Sequence, residues 1–305
     1  MDLPLLNLDA DFPSFPSVGF QTEAGTHYLM EPGIALIAKP QVDLEALQLE
    51  FLDGFDVNLN FNSYIDDADV LEDGEQLAKV AGQLCYLSFG PKRTYNKDAA
   101  GYFQNILESG HGSVLEHPNY SFLIWGISRS LTHEFVRHRV GFAYSQVSQR
   151  YVDGTKLRFV MRPEFQTNDV LRNMFFNWID AASSEYNMRA KLLLEEIETK
   201  AEEYRRAGKE NPWSKTDLRK LVNQSARACL PNETEAPLIV TGNARSLRHF
   251  LNMRGSFHAE SEIAKVAVLM ASILKAQKVA PLLFPDVEAV ERDGRIGLEL
   301  AFKKP

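Results

Sequence analysis

Residues 128–151 read SRSLTHEFVRHRVGFAYSQVSQRY, and this stretch decides the predicted fold. Ser128 is a favoured helix N-cap residue, so we expect a helix from there to about Arg139. The residues that follow, 142–151, predict an extended segment. The stretch therefore predicts a helix that carries a basic cluster directly to the start of a strand.

Outside this stretch the sequence predicts a mixture of strands and helices. Strands are expected at residues 34–38, 120–127, 157–161 and 234–241. Helices are expected at residues 44–51, 74–89, 99–109, 215–228, 243–254 and 259–275, and residues 168–206 form either one long helix or a helical hairpin. This mixture predicts an α+β fold with a mostly antiparallel sheet covered by helices.

The chain of 305 residues is predicted to consist of three parts. Residues 1–73 are rich in Pro, Asp and Asn and form an extension without an assigned role. Residues 74–285 form the main domain, and residues 286–305 form a C-terminal tail. No stretch is apolar for long enough to span a membrane, and the first residues lack the basic start of a signal peptide, so a cytoplasmic location is expected.

The net charge of −8 argues against a protein that coats nucleic acid, since such proteins usually carry a basic excess. The arginines are nevertheless clustered in two short regions of the chain. They are Arg129, Arg137, Arg139 and Arg150 in the first region and Arg227, Arg245, Arg248 and Arg254 in the second. An acidic protein with local arginine clusters is better suited to a small anionic ligand than to a polymer.

The cysteines and histidines do not form a recognisable metal or disulfide pattern. Cys85 and Cys229 are expected to be buried free thiols. A catalytic thiol at Cys229 stays open, because an arginine lies two residues before it. The histidines match neither HExxH nor a Cys/His ligand spacing, so no metal site is expected.

The sequence Arg137-His138-Arg139 forms a compact cluster that suits an anion, since guanidinium groups match phosphate oxygens. Two alternatives are a charged surface run and basic residues that offset the dipole at a helix C-terminus. The polar segment after the cluster favours a ligand site. If this segment is a strand, its donors and acceptors share one face and suit a nucleotide: Gln146, Ser148 and Arg150.

The segment RHRVGFAYSQVS, with eight residues between Arg139 and Ser148, resembles the signature of the flavin-dependent thymidylate synthases. Four further blocks resemble the same family in the same order. They are HGSVLEH at 111–117, ISRSLTHEFVRHR at 127–139, ARACLP at 226–231, and NARSLRHFLNMR followed by HAESEI at 243–263. The resemblance covers residues 74–284 and implies that residues 74–285 are the catalytic domain, with the fold of that family.

The resemblance also implies a reaction and a set of roles. The reaction is the methylation of dUMP to dTMP, with methylenetetrahydrofolate as carbon donor and NADPH-reduced FAD as hydride donor. The residues implied to contact FAD are Ser113, Arg137, His138, Arg139, Asn243, Arg245 and His249, with His111 as a further candidate. Those implied to surround dUMP are Glu134, Gln146, Ser148, Arg150, Arg227 and Arg254, where Gln146 replaces the Glu of many members.

Two of these residues are the implied catalytic pair. We expect Arg254 to polarise the uracil carbonyls and Ser148 to orient dUMP, since a nucleophilic Ser148 would need a nearby base. On a straight helix Arg245 and His249 share a face while Arg254 projects from the opposite side. This geometry fits the homotetramer that the resemblance implies, with active sites shared between subunits.

Two other classes of function stay open at this point. One is a nucleotide- or flavin-binding module that lacks methyl transfer, because Gln146 and the long spacing before Ser148 are variants. The other is a nucleic-acid-binding protein that uses the arginine-rich face, against which the acidic net charge argues.

Overall fold

The computed structural model of the chain describes residues 8–46, 64, 67, 69–90 and 93–302. Within these residues the strands are β1 Ser14–Phe15, β2 Gly19–Gln21, β3 His27–Leu29, β4 Gly33–Ala38, β5 Asn119–Trp125, β6 Phe142–Gln146, β7 Phe159–Val160, β8 Leu238–Asn243, β9 Val287–Arg292 and β10 Arg295–Leu300. The α-helices are α1 Asp73–Leu84, α2 Ala99–Glu108, α3 Arg129–Phe135, α4 Pro163–Gln166, α5 Asp169–Arg206, α6 Lys215–Ala226, α7 Ala244–Arg254 and α8 Ser261–Leu274.

The main sheet has five strands in the order β1-β4-β5-β8-β6, and every neighbouring pair is antiparallel. In β5, Tyr120, Phe122 and Ile124 are buried while the residues between them are more exposed, as expected for a strand with one face toward the core. Asn119 pairs with Asn243, and Phe142 pairs with Gly242. The start of β5, the start of β6 and the first turn of α7 therefore meet at the same end of the strands.

Helices α7 and α8 cover the apolar face of this sheet. The side chains of Phe250, Leu251, Ile263 and Met270 are fully buried in the same cluster as β5. Each such side chain contributes about 1.5–3 kcal/mol by leaving water. Burial of this face holds α7 firmly along its length, so its two ends have fixed positions relative to the sheet.

Residues 169–206 form one continuous helix of 38 residues, α5, which decides between the two predicted alternatives. Its length is about 57 Å at the usual rise per residue. Phe175 and Ile179 pack in a second apolar cluster with Tyr28, Phe159 and Met161. This cluster also contains the small sheet β2-β3-β7, whose β3-β7 pair is parallel.

The mixture of helices and antiparallel sheet confirms the predicted α+β class. The strand predicted at residues 34–38 is β4, and the helices predicted at 99–109, 243–254 and 259–275 are α2, α7 and α8. Of the helix predicted at 44–51, residues 44–46 are helical and the rest lies outside the described residues.

The predicted extended segment 142–151 was wrong beyond Gln146. After Gln146 the N–H of Val147 donates to the carbonyl of Pro237 at 3.0 Å, but a proline has no N–H to return a bond, so the β6-β8 ladder ends there. The chain then turns, and the N–H groups of Tyr151 and Val152 both donate to the carbonyl of Ser148. Gln146, Ser148 and Arg150 therefore do not share one strand face.

Two other predicted features differ from the structure. Helix α3 ends at Phe135 and leaves the arginine cluster outside it. Cys85 is exposed and Cys229 is half-buried, so the prediction of two buried thiols was wrong. The chain before residue 74 contributes β1 and β4 to the main sheet, and the chain after residue 285 contributes the β9-β10 hairpin. The three-part division and the role of the extension stay predictions.

Candidate active site

The loop that carries Arg137-His138-Arg139 follows α3 and is anchored at both of its ends. At its start the hydroxyl of Tyr144 lies within hydrogen-bonding distance of the carbonyls of Phe135 and His138, at 3.0 and 2.7 Å. At its end the hydroxyl of Ser246 donates to the carbonyl of Val140 at 2.8 Å. Because these anchors come from β6 and α7, the loop has a fixed position against both elements.

Gly141 makes this anchoring possible. Its φ is +72°, a conformation that side-chain-bearing residues rarely adopt. A Cβ atom there would lie 2.1 Å from the Ser246 hydroxyl oxygen and 2.6 Å from the Asn243 amide nitrogen. Those two residues form the N-terminal cap of α7, where the Asn243 side chain accepts from the Ser246 N–H.

Arg254, at the end of α7, contacts two residues of α3 and the loop after it. Its Nε donates to His138 Nε2 at 3.0 Å, and one of its terminal nitrogens lies 2.6 Å from the carboxylate of Glu134. The ring of His249 lies 5.9 Å from the ring of His138, measured between centroids. Glu134, His138, His249 and Arg254 therefore form one group, called the Arg254 cluster below.

His138 acts as a hydrogen-bond acceptor in this cluster, so its ring is neutral at Nε2. Burial, the positive charge of Arg254 and the neighbouring His249 lower the pKa of His138 to about 4. At neutral pH the imidazole therefore carries no charge. The cationic character of the cluster comes from Arg254, whose charge Glu134 partly offsets.

The other end of α7 presents a second group of predicted residues. Asn243 caps the helix, and Arg245 pairs with Glu116 at 2.6 Å. Glu116 ends the 3₁₀ turn Gly112–Glu116, which also contains Ser113. Glu116 was not singled out from the sequence, because 129 residues separate it from Arg245 and no local pattern joins them.

Several predicted ligand contacts are open to solvent. The exposed ones are His111, Ser113, Arg137, Arg139 and His249. Across the described ranges, neither Arg137 nor Arg139 forms an ion pair with the protein, so their guanidinium groups are available to an anion.

The remaining predicted dUMP residues make no described polar contact with the Arg254 cluster. Gln146 ends β6, Ser148 and Arg150 lie in the turn that follows, and Arg227 caps the end of α6. Among the residues that the structure describes, no hydrogen bond or ion pair joins these four side chains to Arg254. The contacts within one chain therefore join part of the FAD set, His138 and His249, to part of the dUMP set, Glu134 and Arg254.

The predicted arrangement of α7 is partly corrected by these contacts. Arg245 and Arg254 lie about 180° apart around the helix and contact different carboxylates, Glu116 and Glu134, as the helical spacing indicates. His249 shares the face of Arg245 but lies beside His138, which Arg254 also contacts. The His138 ring is therefore approached from both faces of α7, by His249 from the one and by Arg254 from the other.

The geometry argues against the two protein nucleophiles considered from the sequence. Burial raises the pKa of the Cys229 thiol, with Arg189 only partly opposing it, and the thiol donates to the carbonyl of Ala226. The hydroxyl oxygen of Ser148 accepts from the Arg150 N–H at 3.4 Å, and no described side chain accepts the Ser148 proton. Neither residue has the activating partner that a nucleophile needs.

Comparison with known sequences agrees with this arrangement. A sequence model for the family described as "Thymidylate synthase complementing protein" matches residues 68–282, a range that includes every residue of both α7 groups. The chain belongs to the flavin-dependent thymidylate synthase family. A flavin-dependent thymidylate synthase of Mycobacterium tuberculosis is 42% identical over 215 residues, which covers 70% of this chain and 80% of the relative.

Two other relatives with the same name have similar values. The protein of Mycobacterium marinum is 42% identical over 215 residues, 70% of this chain and 80% of its own. The protein of Mycobacterium sp. strain JLS is 41% identical over 218 residues, 71% of this chain and 81% of its own. Among the residues of this chain that the structure describes, no helix is both long and apolar enough to cross a bilayer.

Proposed function

We propose that this chain methylates dUMP to dTMP, with methylenetetrahydrofolate as carbon donor and NADPH-reduced FAD as hydride donor. The observation that supports this best is the contact of Arg254 with His138 and Glu134. It joins the C-terminal signature to the Arg-His-Arg motif across 116 residues of chain. Family membership and the geometry of one cluster therefore point to the same reaction.

FAD fits the exposed groups around the loop. Its pyrophosphate is anionic, and Arg137 and Arg139 offer guanidinium donors that the described protein leaves unpaired. Asn243 and Arg245 lie at the start of α7, and Arg245 pairs with the turn that contains Ser113. His249 lies on α7, beside His138. When bound, reduced flavin supplies the hydride.

Arg254 has the donors required to polarise a uracil carbonyl. A guanidinium has five N–H donors, and three of them point toward His138, the Glu134 carboxylate and the Glu134 carbonyl. About two N–H donors therefore stay available for substrate. They would stabilise negative charge as it develops on the pyrimidine ring. Gln146, Ser148, Arg150 and Arg227 would hold the rest of dUMP, with Ser148 donating or accepting a hydrogen bond.

We also propose that the active enzyme is a homotetramer with active sites shared between subunits. Arg254 makes no described polar contact within one chain with the other predicted dUMP residues, and a second subunit can supply them to the same site: Gln146, Ser148, Arg150 and Arg227. An exposed apolar stripe on α5 supports association, because it lies within a narrow arc of the helix. Its residues are Val170, Met174, Trp178, Met188 and Leu192, which are 68, 61, 52, 58 and 58% exposed.

Three assignments complete the proposal. Residues 74–285 form the catalytic domain with the fold of the family, and residues 1–73 and 286–305 flank it. The enzyme acts in the cytoplasm. Its partners are small molecules, with neither nucleic acid nor a membrane among them.

A flavin-binding experiment followed by an assay tests the proposal. The purified protein is incubated with FAD, desalted, titrated with dUMP and then assayed for dTMP in the presence of NADPH and methylenetetrahydrofolate. Retained flavin absorbance that shifts on addition of dUMP, together with dTMP formation, is expected. A folded protein that retains flavin but forms no dTMP would be a binding module, and one that retains no flavin would contradict the proposal.

Two variants assign the roles. Arg254→Ala should reduce dTMP formation by about 100-fold or more, as expected for loss of a group that stabilises transition-state charge. Arg189→Ala is the matched control, because among the described residues Arg189 forms its ion pair with Glu185 on the surface of α5. Ser148→Ala should weaken dUMP binding and leave flavin retention unchanged. Near-normal turnover of Arg254→Ala would contradict its assigned role.

A further inference from the structure

Glu262 is a buried carboxylate that forms no ion pair with any described residue. It lies in the first turn of α8 and is 2% exposed. The nearby Arg162 pairs with Glu260 and Glu164, and across the described part of the chain no ion pair reaches Glu262. A buried, unpaired carboxylate is unfavourable, so a specific interaction has to compensate for it.

Both oxygens of Glu262 contact one residue, Ser128. The backbone N–H of Ser128 donates to one oxygen at 2.6 Å, and its hydroxyl donates to the other at 2.6 Å. The same hydroxyl oxygen accepts from the N–H of Leu131 at 3.2 Å, and so caps the start of α3. The carboxylate therefore fixes both the backbone and the hydroxyl orientation of the residue that begins α3.

A carboxylate suits position 262 because it can accept from both the N–H and the hydroxyl of Ser128, whereas an amide cannot. The Ser128 N–H can only donate, so an amide at 262 would have to turn its oxygen toward that N–H. Its NH₂ group would then face the Ser128 hydroxyl, which would have to accept from it as well as from Leu131. The hydroxyl hydrogen would lose its acceptor in a buried place. A glutamine of the same shape therefore cannot preserve the arrangement.

Helix α3 is held at both ends by the helix pair α7 and α8. At its end, Glu134 and His138 contact Arg254, the last residue of α7. At the same end, the rings of Phe135, the last residue of α3, and Phe250 stack with their centroids 4.3 Å apart. Both contacts lie at the C-terminal end of α3, so the tilt of α3 depends on how its start is held. There Ser128 bonds Glu262, and the N–H groups of Arg129 and Ser130 donate to the carbonyls of Thr234 and Asn232.

We propose that Glu262 is a positioning residue for the Arg254 cluster: by fixing Ser128, it sets the tilt of α3 that places Glu134 and His138 against Arg254. Glu262 acts through Ser128 and α3, because its own hydrogen bonds are to Ser128 and not to the Arg254 cluster. The connection to dTMP formation rests on the proposed function, whereas the effect on His138 does not. Burial also raises the pKa of Glu262 to about 6, with the bonds from Ser128 opposing this, so the carboxylate is charged at neutral pH.

The test follows the titration of the His138 ring in the variant Glu262→Gln, by NMR of protein labelled with ¹⁵N-histidine. His138→Gln identifies the His138 signal among the seven histidines. If α3 tilts away, His138 becomes more exposed and loses contact with Arg254, so its pKa should rise from about 4 by at least one unit toward 6.5. Loss of the Glu262 charge alone would act in the opposite direction, because removing a negative charge lowers a histidine pKa.

Two further variants make the test specific. Glu260→Gln is the matched control, because Glu260 caps the same helix and pairs with Arg162 but makes no hydrogen bond to Ser128. It should leave the His138 titration unchanged. Ser128→Ala keeps the backbone bond to Glu262 and removes only the hydroxyl, so it should fold and should raise the His138 pKa in the same direction. If Glu262→Gln fails to fold, Ser128→Ala decides alone.

Activity gives the second measurement. With the cluster displaced, kcat should fall at least tenfold while KM for dUMP changes less, since Arg254 would lose its alignment with the reacting ring. A His138 titration that is unchanged or shifted downward in folded Ser128→Ala and Glu262→Gln would overturn the positioning role. If the native protein forms no dTMP, the proposed function fails, and the titration still decides the role of Glu262.

Discussion

The replacement of Gly141 by alanine tests whether the Arg-His-Arg loop depends on contact with the cap of α7. The native φ of +72° is strained for any residue with a side chain, and the new Cβ would overlap with the side chains of Ser246 and Asn243. Both displaced side chains form hydrogen bonds that stabilise the loop or the start of α7. Ser246 anchors the carbonyl of Val140, and Asn243 caps the helix.

The expected loss of stability has three parts. The left-handed backbone costs about 1–2 kcal/mol for a residue other than glycine. Displacing the Ser246 side chain loses its hydrogen bond to Val140, worth about 1 kcal/mol. Displacing Asn243 removes an N-cap interaction worth about 1 kcal/mol. Gly141→Ala should therefore lower the free energy of unfolding by about 3–4 kcal/mol in total.

Urea unfolding followed by circular dichroism measures this difference at one fixed protein concentration. Gly208→Ala is the matched control, because Gly208 has a φ of +69° with no atom within 4 Å of the added Cβ. That variant should lose only the backbone part, about 1–2 kcal/mol. The double variant Gly141→Ala/Ser246→Ala should relieve one overlap, so its loss should be smaller than the sum of the two single losses.

Flavin retention gives a second measurement on the same proteins. Gly141 is two residues from Arg139, so a displaced loop should weaken FAD retention after desalting, whereas Gly208→Ala should not change it. Equal losses of stability in Gly141→Ala and Gly208→Ala would refute the reasoning. They would mean that the contacts between the loop and the α7 cap contribute nothing measurable.

Three further predictions concern buried charge and the thiols. Arg248→Met should lower the free energy of unfolding, measured with urea, by about 3–5 kcal/mol, because it leaves the carboxylate of Asp286 buried without its partner. The double variant Arg248→Met/Asp286→Asn should recover part of this loss. Burial raises the pKa of Glu75 from 4.5 to about 7, so the folded state binds this proton more tightly and the native protein loses stability as pH rises from 4.5 through 7. The free energy of unfolding of Glu75→Gln, relative to that of the native protein, should therefore rise by up to about 3 kcal/mol between pH 4.5 and 8. A difference between the two proteins that stays constant across that range would contradict the burial effect. Cys229→Ser should retain dTMP formation, and a thiol reagent should modify Cys85 before Cys229; abolished turnover would restore the thiol as a catalytic group.

Much of the candidate site could be predicted from the sequence because its residues lie in short segments with local signals. Ser128 caps α3 as its residue type indicates, and Asn243 caps α7. The spacing of Arg245 and Arg254 places them on opposite sides of one helix, and they contact different carboxylates. The prediction of an extended segment at 142–151 failed beyond Gln146, since the proline that ends the ladder, Pro237, lies just before β8 and far from Gln146 in the sequence.

The sequence by itself determined the helices, the central strand and the motif that defines the family, because capping and hydrophobic periodicity act over a few neighbouring residues. The tertiary structure alone decided which charges meet. Arg254 reaches His138 across 116 residues, Arg245 reaches Glu116 across 129, and Ser128 reaches Glu262 across 134. Such contacts depend on the register of the antiparallel strands and on the packing of α7 and α8 against them, so no local pattern contains them. The neutral state of His138 follows from the same packing, since the burial of its ring and the closeness of Arg254 exist only in the folded chain.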